Sequence, residues 1–203
     1  MFARSMSWSG SDEALEHLER RLSDQVAPDC RALPGHGWIT AVRMDGEAAV
    51  TVTSFWEHDS DVAPEGIGTR QLAVLGNVDG CDLVTSSRYD VRLVRRHGAT
   101  LPGFLVSAAS FPYDASREQE AVRWATEVTQ AAESLPDFNF AVVELAEGPR
   151  LISVTTWRHR DAFAAVEADL RGAYERAPAA VVGGDRQWRR GSVVFSSSDR
   201  VTA

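Results

Sequence analysis

The chain has 203 residues, 44% of them hydrophobic, and a formal net charge of −8. That size fits one large or two small domains. An acidic chain repels phosphate backbones and anionic lipid, which argues against nucleic-acid and membrane partners.

Residues 2–8 (FARSMSW) read as a short strand. The chain then turns acidic and helical at once, without the apolar core of a signal peptide, so a cytoplasmic protein is expected. Leu15, Leu18, Leu22 and Val26 recur at helical spacing. Two β-rich runs follow, joined at Asp45-Gly46, a hairpin turn signal. The second run closes with VTVTSFWEHD, residues 50–59. Pro64, Gly66 and Gly68 come next, so 59–76 is expected to be a loop, with no regular helix before Thr69. Residues 82–94 read as a strand ending at Arg95-Arg96; that pair, like the run from Arg186 to Arg190, is taken as a solvated strand end.

The remainder repeats this order. Residues 103–111 read as a strand. Ser116-Arg-Glu-Gln119 has the pattern of a capping box before a helix bearing Val122, Ala125, Val128 and Ala132. A second hairpin turns at Glu147-Gly148, and its outgoing strand closes with ISVTTWRHRD, residues 152–161. Asp161 is the expected N-cap of a helix whose apolar face is Phe163, Val166, Leu170 and Tyr174. Residues 187–197 form the last strand. The two cysteines, Cys30 and Cys81, lie in no CxxC pair; that suits a reduced protein and leaves one disulfide open.

The two halves align residue by residue. LPGHGWITAVRMDGEAAVTVTSFWEHD starts at Leu33 and LPDFNFAVVELAEGPRLISVTTWRHRD at Leu135. Trp38 matches Phe140 and Trp56 matches Trp157, the second copy being one residue shorter in its hairpin. The order β-α-β-β-α-β, written twice, is ferredoxin-like. The expected fold is therefore α+β, with repeats over 1–98 and 99–203, the first lacking its second helix. Each sheet has a helix-covered face and a bare face, and the bare faces must cover each other.

With these motifs placed, the chain resembles the antibiotic biosynthesis monooxygenase-like domains of the dimeric α-β barrel superfamily. The resemblance rests on Leu135-Pro136-Asp137-Phe138, Trp157 and Ala162-Phe163, and on Leu33-Pro34-Gly35, Trp38 and Trp56 in the first copy. It implies an intramolecular barrel of two tandem repeats, further homodimerisation being open, and a cavity between sheet and helices. It also implies a monooxygenase of secondary metabolism that uses neither flavin nor metal. A phenolic or polyketide-type substrate would then be deprotonated and its anion stabilised away from water. The alternative is a non-catalytic tandem barrel that binds a small molecule or serves in assembly. Heme-type relatives are similar in pattern, but Val166 and Arg176 stand where a helix Trp and an axial His would be needed.

Asn139 and Trp157 are the candidate catalytic residues under this resemblance. Trp56, Trp38, Tyr89, Arg88, His159 and His58 are candidate substrate contacts. Each has a plain structural role to weigh against that. Trp56 and Trp157 suit packing between sheet and helix. His58 and His159 follow strand ends, where solvated or cap-adjacent positions are usual. Asn139 sits in an apolar strand and, by alternation, shares a face with Ala141 and Val143; a polar group there needs a partner, which a ligand, backbone or water could supply.

Overall fold

The computed structural model describes residues 1–178 and 181–197. The first half runs β1 (Phe2–Gly10), α1 (Asp12–Arg21), a π-helical turn (Leu22–Val26), α2 (Ala27–Arg31), β2 (His36–Met44), β3 (Ala49–Trp56), α3 (Asp59–Val62), α4 (Ile67–Ala73) and β4 (Cys81–Arg96). The second runs β5 (Leu105–Pro112), α5 (Glu118–Glu133), β6 (Phe138–Ala146), β7 (Arg150–Trp157), α6 (Arg160–Glu175) and β8 (Gln187–Ser196).

The strands close into one barrel in the order β1-β3-β2-β8-β5-β7-β6-β4. Each half contributes four consecutive strands, its fourth strand beside its first and its third beside its second. The halves join edge to edge, β2 to β8 and β6 to β4, all antiparallel. Closure leaves neither sheet with a free long edge. It also turns both bare faces inward, so they enclose a common interior.

Alternation along each strand assigns the two sides. In β3, Val50, Val52 and Trp56 pack outward with Leu15, Leu18, Leu22 and Val26 in a single core. In β7, Leu151 packs outward with Ala121, Ala125 and Tyr174, and Trp157 with Phe163 and Leu170. A smaller cluster of Ala3, Trp38, Phe55, Phe140 and Val142 faces the interior. Both hairpins turn on a glycine in the left-handed region, Gly46 at φ 78° and Gly148 at φ 88°.

Several local expectations are corrected. Residues 59–76 are not a plain loop, since α3 and α4 form on either side of Pro64 and α4 starts at Ile67. Gly66 takes the N-cap position. Gly68 lets α4 lie against the strand exit, because a Cβ there would sit 2.6 Å from the Trp56 ring. Asp114, rather than Ser116, caps the turn before α5, its carboxylate accepting from the Ser116 N–H at 2.9 Å. His159 occupies the N-cap position of α6, and Asp161 lies in the first turn. Cys30 and Cys81 are both free thiols, and burial pushes Cys30 up to about 12. No helix among the described residues is long and apolar enough to cross a membrane.

Candidate functional site

The space between sheet and helices is filled by the outward cores, so the expected cavity is not there. The cavity lies inside the barrel, with a volume of about 300 Å³. An eight-stranded barrel has room either for filling side chains or for one small ligand. Small inward residues make the difference here. The first half contributes Ser5 and Ser7 from β1, Thr51 and Thr53 from β3, and Thr85 and Ser87 from β4. These form a wall of hydroxyls, with Ser7 and Thr51 2.8 Å apart and Thr53 donating to Ser5 at 3.0 Å. The second half contributes an aliphatic patch of Val106, Ala108, Val142, Ile152 and Val154, together with polar residues that include Ser110, Gln187 and Arg189. At one end Trp38 stacks on Phe55 at 4.0 Å and meets Phe140 edge-on at 6.0 Å.

Glu144 stands on the apolar side. It is 4% exposed, lines the cavity, and its Oε1 has no hydrogen-bond partner among the described residues. Burial pushes its carboxyl up to about 8. Burial penalises the anion and no ion pair to Glu144 is found among the described residues, so the neutral form is favoured. Tyr89, from β4, lines the same space. Burial raises its phenol above the ordinary value, a hydrogen bond with Ser87 opposes the shift, and the Glu144 carboxyl adds to it.

Asn139 is buried behind the wall. Its Nδ2 donates to Thr100 at 3.0 Å and to Thr156 at 3.4 Å, and both threonines line the cavity. Its backbone carbonyl accepts from the His97 N–H at 2.8 Å, and the Gly103 N–H donates to the Val193 carbonyl at 2.8 Å. Asn139 thus helps tie the linker between the halves across one end of the barrel. A register shift between Phe138 and Phe140 breaks the simple alternation. Phe138 consequently packs outward on Trp157 while Phe140 faces in.

The structure thus brings Trp38 and Tyr89 to the cavity wall and Asn139 immediately behind it. It does not bring the other expected contacts there. Trp56 and Trp157 are 0% exposed in the outward cores. Each donates its indole N–H 2.9 Å to the hydroxyl two residues earlier, Ser54 and Thr155 respectively. His58 and His159 hold the N-cap positions of α3 and α6, His159 also 3.1 Å from Asp137. Arg88 pairs outside the barrel with Asp59 at 2.6 Å and Asp90 at 2.9 Å.

Three charged residues escaped the sequence reading: Glu144 and Arg189, which line the cavity, and Arg96, at one end of it. Glu144 left a signal. In FNFAVVEL it is a single acid between Val143 and Leu145, in phase with Phe140 and Val142, and the matching residue of the first copy is Val42. Arg96 does not protrude as a solvated strand end. Its guanidinium lies 4.5 Å from the Trp38 ring centre and 5.7 Å from that of Phe140.

No protein-family model matches the sequence, and no curated protein matches it. Solved structures do. A candidate monooxygenase from Fusobacterium nucleatum superposes with a TM-score of 0.75 at 7% identity, over 96% of this chain and 93% of that one. An anthrone oxidase-like protein matches with a TM-score of 0.63 at 17% identity, over 100% and 96%. A ferredoxin-fold protein of Listeria monocytogenes related to antibiotic biosynthesis monooxygenases matches with a TM-score of 0.54 at 8% identity, over 94% of each chain. Together with the closed eight-stranded antiparallel barrel, these likenesses give the chain the dimeric α-β barrel fold of the monooxygenase-like proteins, with both halves of the barrel carried in one polypeptide.

Proposed function

We propose that the chain is a cofactor-independent oxygenase that deprotonates a small phenolic or enolisable aromatic molecule inside the barrel, with Glu144 as general base. The observation that carries this reading is the placement of Glu144: one carboxyl, buried with no ion pair among the described residues, on the wall of a cavity of ligand size. A base with a value of about 8 is matched to acidic phenols and to C–H groups flanked by carbonyls. The aromatic residues Trp38, Phe55 and Phe140 supply faces for ring stacking. The hydroxyl wall opposite supplies donors for the oxygen on which negative charge develops.

Glu144 takes the proton, and the resulting electron-rich anion is itself the reductant of dioxygen. For a methylene flanked by aromatic rings the balance is R₂CH₂ + O₂ → R₂C=O + H₂O. One oxygen atom enters the product and the other leaves as water with the two hydrogens. The anthrone oxidase-like name of one fold neighbour makes an anthrone the first substrate to try. The test is oxygen uptake and product analysis with anthrone and a panel of phenols. Uptake is expected for the wild type, with kcat/KM rising with pH towards a plateau above about 8, as the base form of Glu144 fills. Glu144→Gln is expected to lose at least about 100-fold, the usual contribution of a general base. If a panel member binds but neither it nor oxygen is consumed, the chain is a ligand-binding barrel instead.

A further inference from the structure

Arg96 is the last residue of β4, and its Cα partner across the sheet is Phe140. Directly opposed residues of an antiparallel pair project from the same face. Trp38 and Phe140 line the cavity, and Arg96, although not itself a lining residue, is turned towards that barrel end with its guanidinium over both rings. Its neighbours turn the other way: Arg95 lies 3.5 Å and His97 2.8 Å from Glu133 on α5. Other arginines illustrate the contrast. Arg88 is held by Asp59, Arg160 by Asp45 and Arg189 by Glu47, whereas the contacts of Arg96 are two aromatic rings. Its Nε is buried and has no hydrogen-bond partner among the described residues, and burial lowers its proton affinity.

A guanidinium lying against a ring keeps its N–H donors in its own plane, where they match the two oxygens of a carboxylate. We propose, building on the cavity reading above, that Arg96 is the anion-binding end of this site and that the ligand is an aromatic carboxylate. Arg96 and Glu144 would then grip opposite ends of the same molecule. Phe140 and Glu144 lie four residues apart on β6, roughly 13 Å at strand spacing. Val142 lies between, with Trp38 and Phe140 at the Arg96 end, so a fused-ring system fits the span. Direction follows as well. A carboxylate inserted the other way would meet Glu144 and, as a second acid beside it, would oppose the ionisation that a base requires. Arg96 therefore acts as the specificity-determining residue that presents the acidic proton to the base.

The probes are 6-hydroxy-2-naphthoate and 2-naphthol, which share the ring system and the phenol but differ in the carboxylate. Calorimetric titration at neutral pH is expected to show the carboxylate probe binding the wild type about ten- to a hundredfold more tightly. Arg96→Met, which keeps an apolar stem over Trp38, should erase that preference while moving 2-naphthol by less than about twofold. Arg96→Lys, a point charge without the planar fork, should retain only part of it; it serves also as the second variant should the Met form fail to fold. Melting curves verify folding. A preference that survives both substitutions, or its absence in the wild type, overturns the anion site. If 2-naphthol binds with no preference for the carboxylate, the anion site falls and the cavity reading stands. If neither probe binds the wild type, both fall together.

Discussion

Removing the charge of Glu144 should change how stability depends on pH. The carboxyl titrates at about 8 in the folded protein, against an ordinary value of 4.5. Between these values the folded state holds a proton that the unfolded state releases. Stability must therefore fall as pH rises through this window, and the loss is complete above about 8. Each tenfold change in proton affinity is worth about 1.4 kcal/mol, so the whole window spans roughly 5 kcal/mol, of which roughly 3 is already lost at pH 7. Glu144→Gln keeps the shape and cannot ionise. Urea unfolding followed by tryptophan fluorescence, in steps from pH 5 to 9 without ligand, measures both proteins. The groups common to both cancel in the difference. Near pH 5 the two should agree within about 1 kcal/mol, and by pH 8.5 the glutamine variant should be ahead by roughly 4. Parallel curves across the range would mean that Glu144 is ionised at little cost, and the argument for a buried base would collapse.

Other substitutions separate the core from the cavity. Trp157→Ala should cost roughly 3–5 kcal/mol in chemical denaturation, because it empties a fully buried core site. Gly68→Ala should cost roughly 1–3 kcal/mol, since the new methyl would press on the Trp56 ring 2.6 Å away; a melting temperature equal to the wild type would contradict that packing. Asn139→Ala should lower stability by roughly 1–3 kcal/mol by removing its hydrogen bonds to Thr100 and Thr156, so lost turnover with unchanged melting would assign it chemistry instead. Arg88→Ala should alter stability by under about 1 kcal/mol and leave ligand affinity unchanged, because its ion pairs lie outside the barrel. Ala108→Trp should fill the interior and abolish binding of 2-naphthol while far-UV circular dichroism stays native.

The sequence by itself determined the architecture. Matched Leu-Pro starts, two acidic-Gly hairpins, two strands ending in Trp, and leucines or small residues at helical spacing specify two ferredoxin-like repeats, because these signals are local. The bare face of each repeat already demanded a partner surface. Only the tertiary structure decided where a ligand could go. Trp56 and Trp157 drew attention by their repetition, yet repetition reflects the same packing duty in each half. The cavity depends on small hydroxyl residues from β1, β3 and β4 facing aliphatic ones from the other half, a juxtaposition set by barrel closure over long sequence separations. Asn139 became a latch through a register shift that alternation does not foresee. Glu144 was legible as one acid in an apolar strand, but its value near 8 is a tertiary fact: it follows from burial by the closed barrel, with no ion pair among the described residues. Arg96, likewise, is an ordinary strand-end arginine until closure lays it on Trp38 and Phe140.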